Sequence, residues 1–122
     1  MTTKESILAL LEENRGASLS GEELAARLGI SRSAIWKAIG SLRQEGHAIA
    51  AATNRGYLLR PESDVLCKEA VLPYLKSKVE LILPEEVGST NTLLRELALQ
   101  GAPHGTVALA DKQSAGRGRR GR

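Results

Sequence analysis

The sequence predicts an α+β chain in two parts: three short helices closed by a β-hairpin over residues 1–60, then the first elements of a mixed α/β domain. Three observations predict it. Apolar residues recur at helical spacing in three successive runs before Gly46, each preceded by a hydroxyl residue suited to N-capping. Pro61 to Asp64 then breaks the chain with the composition of a boundary. Beyond it the order becomes strand, helix, strand, which suits a mixed sheet. The expected division is 1–60, a connecting segment with a helix over 61–78, and a second domain over 79–122.

Thr2 with Glu5 has the spacing of a capping box, and Ile7, Leu8, Leu10 and Leu11 give the first helix an apolar face to about Asn14. Ser20 with Glu23 repeats the box for a short second helix whose Leu24, Ala25 and Leu28 are apolar and whose Gly29 suits a left-handed cap. Ser31 caps a third helix carrying Ile35, Ala38, Ile39 and Leu42 toward the core and ending at Gly46. Ala48 to Ala52, a turn at Thr53 to Gly56, and Tyr57 to Leu59 read as strand, turn, strand. In the second part, Lys68 to Leu75 reads as a helix with Pro73 near its end, and Val79 to Leu83 as a strand. Ser89 to Thr92 starts a helix continued by Leu93, Leu94, Leu97 and Ala98, and Thr106 to Ala110 forms another strand. Two strands and a helix cannot cover both faces of a sheet, so the expectation is an N-terminal fragment of a longer protein.

Two helices joined by a tight turn at Gly29, followed by a hairpin, match a winged helix-turn-helix, in which the second helix enters the DNA major groove. The outward set on that helix is Arg32, Ser33, Trp36, Lys37 and Arg43, with Arg55 at the tip of the wing. Arg32 and Lys37 suit phosphates or guanine edges, and Ser33 either class of acceptor. Such units also serve as protein-binding or purely structural modules, and Trp36 either touches DNA or braces the wing. Gly40, mid-helix, costs about 1 kcal/mol relative to alanine, which implies close packing or close approach to something.

Charge is unevenly placed. Residues 1–60 carry a net +2, residues 61–111 a net −4, and the last eleven residues five basic groups and no acid. The lone Cys67 excludes an intrachain disulfide, and with His47 and His104 it has no metal-ligand spacing, so neither a zinc site nor a thiol nucleophile is expected. Aromatic residues make up 2% of the chain, which argues against binding single strands by base stacking. No apolar stretch approaches the roughly 20 residues that span a bilayer, and no signal peptide opens the chain, so a cytoplasmic protein with no membrane partner is expected.

The basic end, Gly116 to Arg122, holds four arginines and three glycines. Glycine permits close backbone approach and arginine offers a forked donor, the chemistry of an anion-binding loop. Gly116, Gly118 and Gly121 satisfy G-x-G-x-x-G formally, but the fingerprint needs a strand leading directly into the loop, and four residues, Lys112 to Ala115, separate the strand from the first glycine, so a dinucleotide fold is disfavoured. A minor-groove arm and a frayed tail stay open for the segment taken alone.

Taken together, Gly88, Ser89, Thr90 and Asn91, then twenty residues later Lys112, Gln113, Ser114, Ala115 and the run to Arg122, resemble the biotin protein ligases. The preceding winged unit resembles that of the members that double as biotin operon repressors. The resemblance implies a second domain of ligase type and a two-step reaction. Biotin and ATP, as substrates, give biotinyl-5′-adenylate and pyrophosphate, and the adenylate then acylates a lysine of the biotin carboxyl carrier protein of acetyl-CoA carboxylase. It further implies that Ser89, Thr90, Asn91 and Gln113 line the biotin pocket, with Gly116, Arg117, Gly118 and Arg119 holding biotin and adenylate. Magnesium is implied too, with ligands outside this chain, as are operator DNA and a homodimer of the full-length protein. The 122 residues by themselves are expected to lack ligase activity. The alternative is a stand-alone winged-helix regulator with a basic C-terminal arm.

Overall fold

A computed structural model describes residues 2–121 and divides the chain into two units, Met1–Tyr74 and Leu75–Arg122. In the first, α1 (Thr3–Glu13) opens with a complete capping box: Thr2 accepts from the Glu5 amide while Glu5 accepts from the Thr2 amide. Helix α2 (Gly21–Leu28) is capped by Ser20 alone, because the Glu23 carboxylate is drawn to Arg27 at 2.9 Å instead of closing the box. Gly29 then takes the left-handed conformation, φ 65°, and lets α3 (Arg32–Gln44) start at its Ser31 cap. The wing is β1 (Ile49–Ala52) antiparallel to β2 (Gly56–Leu59), with Ile49 opposite Leu59.

One core joins these elements. Ile7, Leu11, Leu24, Ile35, Ile39, Leu42 and Leu59 are fully buried, each stabilising the unit by about 1.5–3 kcal/mol. They come from all three helices and the wing, so the wing is anchored to the helices and does not project freely.

Two anchors were not visible in the sequence. Leu19, just before α2, pairs with Tyr57 through two N–H···O bonds of 2.7 Å and so adds a third strand position to the wing. The close approach needs Gly56, φ 90°, where a Cβ would collide with the Leu19 carbonyl and Ser20 Cα. Arg15, past the end of α1, donates to the carbonyls of Pro61 at 2.9 Å and Ser63 at 2.8 Å while pairing with the buried Glu12 carboxylate. The segment after the wing is therefore stapled to α1. Further along, α4 (Lys68–Val71) runs into a single 3₁₀ turn at Leu72–Tyr74, because Pro73 lacks the N–H that an α-helix would use. This helix, assigned from sequence to the connecting segment, packs on α1 within the first unit.

The second unit holds β3 (Leu81–Ile82) parallel to β4 (Val107–Ala108), joined through α5 (Thr90–Leu99). Both strands are shorter than their apolar runs, since each has only one neighbour to bond. Val87 and Gln113 extend the parallel pairing as an isolated bridge. No helix among the described residues is long and apolar enough to cross a membrane.

Candidate nucleic-acid interface and candidate ligand pocket

The polar face of α3 and the wing enclose a groove of about 600 Å³. It is lined by Arg32, Trp36 and Arg43 of α3, by Ala51 to Asn54, Gly56 and Tyr57 of the wing, and by Ser20, Gly21 and Glu22 at the start of α2. Of the residues expected to face DNA, the groove thus gathers Arg32, Trp36 and Arg43. Ser33, Lys37 and Arg55 are exposed outside it, so they could meet only a partner broader than the groove. Arg43 also serves the fold, because its Nε donates to the Ile49 carbonyl at 3.0 Å, tying α3 to β1, and its other guanidinium nitrogens take no partner among the described residues. Trp36 is 66% exposed, too open to act as a buried brace for the wing. Sequence reasoning missed Glu22, which adds a carboxylate to the groove lining. Only its place beside the α2 cap would have signalled it.

In the second unit the two separated motif segments meet. Gln113 Oε1 accepts from the Thr90 amide at 2.9 Å and the Thr90 hydroxyl at 3.3 Å. Ser89 occupies the N-cap position and α5 starts at Thr90, where the sequence places it, but the Ser89 side chain forms no capping bond. The first free N–H of α5 is satisfied instead by Gln113, whose carbonyl is held in reach by the bridge to Val87. Backbone bonds from Ser114 to Val87, 3.0 Å, and from Ala115 to Gly88, 2.7 Å, continue the zip. A Cβ on Gly116 would stand 3.0 Å from the Gln113 amide nitrogen, so glycine lets the chain turn closely over that side chain.

A pocket of about 380 Å³ lies beside this junction, lined by Ser89, Asn91, Thr92, Leu94, Arg95 and Arg117. It brings together Ser89, Asn91 and Arg117 of the expected set and adds Arg95, one turn into α5, which sequence reasoning overlooked. Two arginines with hydroxyl and amide groups offer sites for an anion and for a polar ring. Thr90, Gln113, Gly116, Gly118 and Arg119 of the expected set lie outside the pocket lining, Thr90 and Gln113 being bonded to each other beside it and Arg119 beginning a short 3₁₀ turn to Gly121. In the first unit, burial pushes the Cys67 thiol above its ordinary range and the His47 imidazole below its own. Neither residue lines the groove.

Residues 3–58 match the family described as HTH domain, a span that ends within the second strand of the wing. The chain is 36% identical to the bifunctional ligase/repressor BirA of Bacillus subtilis over 99% of its own length and 38% of that protein's. The corresponding protein of Bacillus spizizenii gives the same identity and coverage. That of Escherichia coli is 36% identical over 95% of this chain and 35% of its own length. The chain therefore spans little more than a third of the curated relatives it matches, and it resembles them through both units.

Proposed function

We propose that this chain supplies the operator-binding unit and the biotin-contacting turn of a bifunctional biotin protein ligase and biotin operon repressor. One observation carries the ligase half: Gln113 is bonded to Thr90 across twenty-three positions of sequence, so two segments that resemble a ligase motif adjoin one pocket. The helix-turn-helix match and the groove between α3 and the wing support the repressor half.

The chemistry follows from the side chains. A ureido ring leaving water needs paired donors and acceptors, which Ser89, Thr90, Asn91 and Gln113 supply. The biotin carboxylate must then attack the α-phosphorus of ATP, forming an acyl phosphate bond as the bond to pyrophosphate breaks. Two anions approach each other in that step, and Arg117 and Arg119 offset their repulsion. In the second step the amine of a carrier-protein lysine attacks the acyl carbon and AMP leaves. Magnesium is proposed to be held by residues outside these 122. The domains are proposed as 1–60 for DNA, 61–78 as connection and 79–122 as ligase. These 122 residues are proposed not to complete adenylation by themselves.

The test reads the coding sequence past codon 122 and assays its product for biotin-dependent ATP–pyrophosphate exchange. Exchange is expected, and Arg119→Ala should slow it on the order of a hundredfold. A native stop with no ligase core would sink the ligase half and favour the alternative, a stand-alone regulator with a basic arm. The exposure of every described residue from Asp111 to Gly121 is the one observation on that side.

A further inference from the structure

Gly40 lies in the third turn of α3, a helix interior where glycine is unfavourable. Among the described residues nothing requires it. Its φ is not positive, and beyond its chain neighbours and the backbone of its own helix a Cβ there would find no atom among the described residues within 4 Å. Close packing, one of the two explanations the sequence left open, is thereby removed. What remains is close approach from outside.

The surroundings identify the visitor. Trp36 and Lys37 precede Gly40 by four and three positions, and Arg43 and Gln44 follow it by three and four, so these exposed side chains ring it on the outward face. Arg32–Gln44 contains no acid. A strip of bare helix backbone flanked by two cations and an amide complements a phosphodiester, both in charge and in the room it leaves. A recognition helix reads base edges with its first turns; by its third turn the groove wall is sugar and phosphate. We propose that Gly40 is a notch that seats the sugar–phosphate backbone of duplex DNA against α3. This rests on the DNA-binding reading above and gives it a contact point that charge alone does not.

The experiment uses the 122-residue chain, with duplexes recovered by wild-type selection from random-sequence DNA as the probe. Gly40→Ala should raise Tm by several degrees, because alanine favours helix and the site is open. The same substitution should weaken duplex binding about tenfold, by the same factor on single-base variants of the duplex and with an unchanged salt slope, since Lys37 and Arg43 remain. Gly40→Leu should weaken it further. Wild-type affinity in both variants would overturn the notch, and so would a lower Tm in Gly40→Ala, which would mean that the protein itself needs glycine there. A loss confined to one base pair would also overturn it, assigning the contact to a base edge. A wild-type chain that binds no duplex would instead remove the DNA reading on which the notch depends.

Discussion

Replacing Gly56 by alanine tests the pairing that holds the wing to the start of α2. Two costs add. A side chain at φ 90° is strained by about 1–3 kcal/mol. The new Cβ would also meet backbone, the Leu19 carbonyl and Ser20 Cα, which cannot rotate away as a side-chain tip would. Relief comes only by separating Leu19 from Tyr57, losing two hydrogen bonds worth about 1 kcal/mol each. The expected total is about 3–5 kcal/mol, a fall in Tm on the order of 15 °C or more for a unit of this size. Gly29→Ala is the control: Gly29 also has positive φ, 65°, but open space around it, so only the strain applies. Thermal melts followed by circular dichroism give the difference between the two variants, and hydrogen exchange at the Leu19 and Tyr57 amides locates it. Equal losses in both variants, with Leu19 and Tyr57 still protected, would refute the reasoning.

Arg15→Met strands the Glu12 carboxylate, 3% exposed, and should cost about 3–5 kcal/mol in denaturant unfolding; adding Glu12→Gln should recover part of that loss. An additive double variant would show that the two side chains do not act as a pair. His47 titrates below its ordinary 6.5 chiefly because burial disfavours the cation, a shift that the carboxylates of Glu45, Glu69 and Glu12 oppose. The unfolded chain therefore takes the proton first, so stability is complete above 6.5 and declines as pH falls from there toward the folded value. In His47→Gln the decline in Tm between about pH 7 and about pH 5 should be shallower; an identical slope would exclude this histidine as its source.

Local chemistry made much of the first unit legible. Thr2, Ser20 and Ser31 mark the helix starts because a cap is a contact between residues three apart, and Ile35, Ile39 and Leu42 mark the core because helical period survives in sequence. Leu19 with Tyr57 did not show, since a single bridged pair leaves no alternation to detect. The Arg15 contacts did not show either: their acceptors are carbonyls, which every residue has. In the candidate pocket Ser89, Asn91 and Arg117 were legible through a resemblance to known ligases rather than through any period. Arg95 was overlooked because one arginine on a helix looks like ordinary solvated surface until the turn at Arg117 comes alongside. The capping of α5 by Gln113 in place of Ser89 is a tertiary event, decided by which acceptor the Val87 bridge delivers.

The Arg15 staple also decides how the first unit bears load. The chain leaves β2 at Leu59, and tension on a bare β-hairpin end would peel it open one hydrogen bond at a time, the weakest way to stress a sheet. With Arg15 gripping the carbonyls of Pro61 and Ser63, a tug from downstream reaches α1 before it reaches the wing. It must then slide a helix whose Ile7, Leu8 and Leu11 are sunk in the core. Peeling is exchanged for shear, and the hairpin keeps its shape while the chain beyond it moves.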